Sequence, residues 1–202
     1  MDSVEKIRRD GKSTLLSSLA DRVGNVVSSG STPSCNIERD TVIGEPEKKV
    51  VTVSSLSELK SIGNSVEVII VSQHGCNEGD MRVLDLSRFV NLKTFVVNEL
   101  SFLNVEEVKL IGLKKLERVE IGNVCFTRNL YNSNPNRRFY LKNCERLKDL
   151  KIGSNSFVDY TVCEIENNES LEVIEIGELH RQSINFKCDS ALKLKSDCDG
   201  MI

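Results

Sequence analysis

The sequence predicts a mainly β solenoid: coils of about 24 residues, each carrying two short parallel strands, preceded by a short N-terminal helix. Three observations carry this expectation. An apolar-x-x-apolar-x-apolar pattern recurs, clearest in LERVEIG from Leu116, LKDLKIG from Leu147 and LEVIEIG from Leu171. A second pattern, apolar-x-apolar-x-x-apolar-x-x-Leu, runs between the copies of the first. The two alternate at nearly constant spacing, and self-similarity at a period of about 20–50 residues marks a stacked repeat.

From the N-terminus, residues 1–24 show helical spacing, with Leu15, Leu19 and Val23 four apart on one face. Gly11 weakens the middle of that stretch, so Ser13 or Thr14 is expected to cap a better helix over 14–23. Residues 25–48 lose the apolar period and become rich in Ser, Gly, Pro and charge, which reads as a flexible linker. The solenoid is expected over residues 49–202. There the first pattern continues in VEVIIVS from Val66 and LKTFVVN from Leu92. The second runs through VTVSSLSEL from Val51, LDLSRFVNL from Leu84, VKLIGLKKL from Val108, FYLKNCERL from Phe139 and CEIENNESL from Cys163, with INFKCDSAL from Ile184 as a partial copy. In each, the apolar-x-apolar pair is the alternation of a short strand with one buried face.

Spacing sets the unit. Val97, Leu110 and Ile121 stand 13 and then 11 apart, and Leu141, Ile152, Ile165 and Ile176 stand 11, 13 and 11 apart. A unit is therefore about 24 residues, as from Leu92 to Leu116 and from Leu147 to Leu171. The stretch from Leu116 to Leu147 is longer by seven. The extra length falls in TRNLYNSNPNRR, which holds Pro135 and four Asn and reads as a surface loop. One unit buries too few side chains to order its own backbone, so units must stack.

LxxLxIGxxSF, as in Leu147 to Phe157, resembles a leucine-rich repeat. NCERLKDLKIGSNSF is more closely similar to the irregular BspA-like class, whose coils carry Cys-x-x-Leu-x-x-Ile-x-Ile and a later Ser-Phe or Ala-Phe pair. The equivalents of that pair are Ser101-Phe102, Cys125-Phe126 and Ser156-Phe157. The resemblance covers about residues 50–195, with two departures. The Cys position is Cys144 in one unit but Phe89, Leu113 and Asn168 in others, which marks Cys144 as interior packing. Gly122, Gly153 and Gly177 stand where the class commonly has Pro. The resemblance implies an arc that binds other molecules through exposed strand residues, and no catalysis.

Composition narrows the function. The net charge of −3 provides no electrostatic footprint for nucleic acid. The longest apolar run, Val66 to Val71, is too short for membrane insertion, and the stretch 1–25 has no apolar core of a secretory signal. Seven cysteines, an odd number, then favour free thiols and an intracellular, cytoplasmic setting. Without a secretory signal the acceptor pattern Asn168-Glu-Ser170 carries no weight.

Gly11-Lys-Ser-Thr14 followed by two leucines suggests the end of a phosphate loop. The loop's first glycine should stand where Lys6 is, and no buried strand precedes it, so nucleotide binding is only a remote alternative. His74 and Cys76 sit two apart, but no Cys-x-x-Cys exists to complete a zinc set. His74 and His180 lie in non-adjacent units, so no base stands beside a nucleophile. No enzyme, metal or cofactor is expected.

What remains is the surface. Outward strand positions include Thr94, Val96, Arg118, Glu120, Asp149, Lys151, Val173 and Glu175, with opposite charges alternating. In the 128–138 loop, Arg128, Tyr131, Arg137 and Arg138 are of the types that dominate interfaces. The expected function is a non-catalytic scaffold that recognises a protein partner through these strand positions and this loop. The alternative is a structural or surface-array protein that self-associates end to end. The closing ALKLKSDCDGMI lacks a polar capping unit, so the chain is expected to be a short or truncated copy of a longer array, or to have that end covered by another molecule.

Overall fold

A computed structural model describes residues 49–131, 134–177, 183–186 and 190–195. The expected helix over 14–23, the linker and the GKST stretch lie outside these residues, as do His180, Cys188 and Cys198. The described chain forms two sheets in which every pairing is parallel. The first sheet runs in the order β1 (Val50–Val53), β2 (Val68–Val71), β4 (Thr94–Val97), β6 (Arg118–Ile121), β8 (Asp149–Ile152), β10 (Val173–Ile176). The second runs β3 (Val83–Asp85), β5 (Glu107–Ile111), β7 (Asn134–Lys142), β9 (Tyr160–Glu166), β11 (Ala191–Lys195). From β2 to β11 the chain thus visits the two sheets alternately, and neither closes into a barrel.

Each apolar-x-apolar pair of the first series is a strand of the first sheet, and from β2 to β8 its two apolar residues face inward. Ile69 and Val71, Phe95 and Val97, Val119 and Ile121, Leu150 and Ile152 are all buried. From the second sheet come Leu84, Val108 and Leu110, Phe139 and Leu141, Cys163 and Ile165, and both rows belong to one hydrophobic cluster. The leucines that follow, such as Leu92, Leu116 and Leu147, are buried in the turns between the sheets.

The corners show why the Ser-Phe positions recur. Each corner after β2, β4, β6 and β8 holds two left-handed residues two apart: His74 and Cys76, Leu100 and Phe102, Val124 and Phe126, Asn155 and Phe157. A non-glycine residue there costs about 1–2 kcal/mol. The cost is offset because the corner extends the backbone ladder: Phe102 N donates to Gly75 O, Phe126 N to Ser101 O and Phe157 N to Cys125 O. The aromatic rings then stack, with Phe126 4.8 Å from Phe157 and 5.1 Å from Phe102, and Phe186 5.3 Å from Phe157. The small residue before each ring ties one turn to the one before. Ser101 Oγ donates to Ser72 O, Cys125 Sγ to Asn98 O and Ser156 Oγ to Gly122 O. Cys125 therefore takes the part of a serine.

The glycines that follow β6 and β8 also have a reason. A Cβ on Gly153 would sit 2.6 Å from the Gly122 carbonyl carbon, and one on Gly122 would sit 2.9 Å from Glu99 N. Successive turns approach too closely there for a side chain.

Three expectations are corrected. VTVSSLSEL does not supply a strand of the second sheet: Val50–Val53 is β1 of the first sheet, and Leu56–Ser61 forms α1, the one helix among the described residues. Ser55 caps it by accepting from Glu58 N while Glu58 bonds back to Ser55 N, a capping box that outcompetes the strand period. Leu56 and Leu59 of α1 are buried and close that end of the core. At the other end, the last strand of the second sheet among the described residues is Ala191–Lys195; residues 184–186 are not a strand, and Phe186 instead continues the ring stack. Third, the 128–138 segment is not wholly loop, since β7 begins at Asn134, with a register irregularity between Asn134 and Arg138.

Candidate functional site

The proposed binding residues fall in three places. Arg118, Glu120, Asp149, Lys151 and Glu175 lie on the outer face of the first sheet, Arg138 on the outer face of the second, and Arg128 and Tyr131 in the segment leading to β7. Arg137, the remaining member, points inward.

On the first sheet, register aligns the outward residues into two rows. One reads Val50, Val68, Thr94, Arg118, Asp149, Val173 and the other Thr52, Ile70, Val96, Glu120, Lys151, Glu175. The charged half pairs within itself: Arg118 to Asp149 at 3.2 Å and Lys151 to Glu175 at 3.1 Å. Exposed pairs of this kind contribute about 0–1 kcal/mol each. The other half, on β1, β2 and β4, carries no charge at all, and Val50 there is exposed.

A further row precedes the strands. Lys49, Glu67, Lys93, Glu117, Lys148 and Glu172 alternate in sign, each bonded to the next through the backbone. Glu67 lies 2.8 Å from Lys93 and 3.2 Å from Lys49, and these two bonds hold its carboxyl below the usual range. The same bond raises Lys93. In the sequence the row shows only as a residue before each strand of the series that changes sign from unit to unit.

On the second sheet, Arg138, Tyr140 and Lys142 stand on the outward face of β7. Lys142 bonds Glu164 and Glu166 and lies over the Tyr140 ring. Glu164 is held low by Lys142 and Lys193. The Arg138 guanidinium is 3.5 Å from the Tyr140 hydroxyl, which raises it further.

Arg137 is corrected from surface residue to buried anchor. It is 1% exposed. Its Nη1 donates to Asp159 Oδ2 at 2.5 Å, its Nη2 to Leu103 O at 2.8 Å, and its Nε to Val105 O at 3.2 Å. The guanidinium also lies 4.9 Å from the centre of the Tyr160 ring, whose hydroxyl donates to Val105 O. Burial pushes the Tyr160 phenol well above its ordinary value. A fully buried arginine survives because carbonyls, a carboxylate and a ring face meet its guanidinium together. Asp159 Oδ2 accepts a second bond, from Asn129 N, while Asp159 Oδ1 has no partner among the described residues.

That pair fixes the base of the inserted segment. Beyond it, Leu130 is 48% and Tyr131 88% exposed, with Arg128 exposed beside them. Asn129 Oδ1 accepts from Tyr131 N and shapes the turn. Neither Leu130 nor Asp159 was marked by sequence reasoning; the insertion length was the only signal for either.

His74 and Cys76 do not converge. His74 is exposed and Cys76 is buried in the core. Cys76, Cys125, Cys144 and Cys163 are all free and buried, and burial pushes their thiols up to about 12, 11, 11 and 12. Among the described residues no helix is long and apolar enough to cross a membrane. Comparison of the chain with protein-family models, with curated proteins and with solved structures returned no match.

Proposed function

We propose that the chain is a repeat solenoid of leucine-rich-repeat type that serves as a non-catalytic scaffold for a protein partner. The constant repeat period and the BspA-like resemblance support the first part, together with the alternation of the chain between two parallel sheets. The observation that carries the second is the insertion tip. A tyrosine 88% exposed beside a leucine 48% exposed is costly to display, and here its backbone bonds Asn129, which the buried Asp159 carboxylate ties down in turn. Interfaces draw their energy from such rigid aromatic anchors, with arginine beside them. Tyr131 is the centre of the proposed surface, with Leu130 and Arg128 around it. The outward rows of the first sheet form a second, flatter surface, of which the uncharged part on β1, β2 and β4 is the more adhesive.

The non-catalytic reading rests on the thiols. Protonated, buried cysteines are poor nucleophiles at neutral pH. Their free state also suits the proposed reducing, intracellular setting.

The test is affinity capture from the native cell with wild-type chain and with Tyr131→Ala as baits, both confirmed equally stable. The reading expects a protein retained by the first and lost from the second. Identical capture by both removes Tyr131 from the interface.

A further inference from the structure

One stretch of the chain is unlike the rest in charge. From Ile121 to Cys144 there is no Asp or Glu, while Arg128, Arg137, Arg138 and Lys142 all fall there, on a chain of net charge −3. Two of these cations are used inside the fold: Arg137 is buried against Asp159, and Lys142 bonds Glu164 and Glu166. Arg128 and Arg138 are exposed and have no ion pair among the described residues. The acids near Arg138 are already held, Glu107 by Lys109 at 3.0 Å and Glu164 by Lys142 and Lys193. On the first sheet, by contrast, Lys49, Lys93, Arg118 and Lys151 each hold a carboxylate.

The fold ties the two free arginines to the tip from both sides. Asp159 Oδ2 accepts from Asn129 N at 3.2 Å and from Arg137 Nη1 at 2.5 Å. Arg128 precedes the first of these donors in the chain and Arg138 follows the second. One buried oxygen thus joins the two arms of the insertion at its neck. A cation stands beside each arm, and the exposed Leu130 and Tyr131 lie beyond.

We propose that the partner presents an acidic protein segment to this tip, with carboxylates for Arg128 and Arg138 set around an apolar cleft that takes Tyr131. This rests on the tip being the partner surface. A guanidinium without a carboxylate of its own takes one from the partner, in the forked geometry that arginine favours. Leu130 and the Tyr131 ring supply the apolar area between. Because both arginines are exposed, their pairing acts chiefly on the rate of encounter and on the choice of partner. A nucleic acid strand also offers anions. Strand binding commonly uses about 6–10 phosphate contacts, however, and two arginines on a chain of net charge −3 fall well short of that.

Panning a phage-displayed library of random peptides against the full chain tests it, with every variant first shown to unfold at the wild-type urea concentration. The expected peptides are rich in Asp and Glu around Leu or an aromatic residue, and Tyr131→Ala releases them. Arg128→Glu/Arg138→Glu weakens them by about tenfold or more and, panned in its own right, selects basic peptides instead. Arg128→Lys/Arg138→Lys keeps the acidic preference. Raising salt from about 0.1 to 1 M, which cuts the screening length from about 10 to 3 Å, also weakens the acidic peptides. Peptides that need Tyr131 but carry no excess of acid, or that bind the double charge reversal unchanged, overturn the acidic partner and leave the tip reading standing. Acidic peptides that bind Tyr131→Ala as tightly as wild type overturn the inference too. So does the absence of any peptide that needs Tyr131, and capture with the same variants then decides the tip reading by itself. Tighter binding of an oligouridylate than of any selected peptide, lost in the same double reversal, overturns it in favour of nucleic acid.

Discussion

Replacing Asp159 by alanine should loosen both the fold and the insertion tip. The pair it forms with Arg137 is almost fully buried, with side chains 3% and 1% exposed. Alanine removes the bond to Arg137 Nη1 and the bond from Asn129 N. The guanidinium keeps only the carbonyls of Leu103 and Val105 and the face of Tyr160, with no countercharge. Breaking a buried pair from one side costs about 3–5 kcal/mol, because a bare charge stays behind. Arg137→Met leaves the carboxylate bare in the same way and falls in the same range. Arg137→Met/Asp159→Leu removes both charges. What it then leaves unmet is the Leu103 carbonyl, at about 1–3 kcal/mol. The double variant is therefore no less stable than either single one, and the coupling energy is about 3 kcal/mol or more. Urea unfolding of the four proteins measures this directly. Single variants costing under about 1 kcal/mol, or effects that simply add, would refute the claim that the pair is a closed buried unit.

Other outcomes follow from the packed corners. Phe126→Ala removes a ring sandwiched between Phe102 and Phe157 and should cost about 3–5 kcal/mol in the same unfolding assay. Cys125→Ser should be nearly neutral, within about 1 kcal/mol, because serine makes the same bond at positions 101 and 156. Gly153→Ala should destabilise by about 1–3 kcal/mol, since its Cβ would press on the neighbouring turn's backbone. The buried thiols set a pH dependence. Unfolded cysteines ionise at about 8.5, whereas Cys76 and Cys163 in the fold do so only at about 12. The native state thus holds more protons between these values, so stability is full below about pH 8.5 and falls as pH rises towards 12. Urea midpoints at pH 7.5, 9 and 10 should decline in that order, and thiol reagents should label native protein slowly and unfolded protein fast.

The strands of the first sheet were legible because each pairs a strict period of 2 with a fixed repeat register, as in VEI at 119–121 and LKI at 150–152. The corners were half legible. Ser101-Phe102 and its equivalents could be aligned, but nothing in the letters says that Phe126 adopts a left-handed backbone. Two signals misled. VTVSSLSEL satisfies the strand template, and only the local capping box of Ser55 and Glu58 turns its second half into α1. Arg137 reads as a surface residue because arginine usually is one. Its burial depends on Asp159, far along the chain and with no sequence mark linking the two. Tyr131 was legible through its place in the insertion, whereas the charge row from Lys49 to Glu172 emerges only once the register is known.

The central claim is that Tyr131, displayed on a tip anchored by Arg137 and Asp159, is what a partner protein grips. The most direct test is calorimetric titration of a captured partner with wild-type chain, Tyr131→Ala and Asp159→Ala. The account expects Tyr131→Ala to weaken binding by about 30-fold or more, equivalent to a hot spot of about 2 kcal/mol. Asp159→Ala, which frees the tip without touching its surface, should weaken it by a smaller factor. Equal affinities for wild type and Tyr131→Ala, at unchanged stability, would contradict the account.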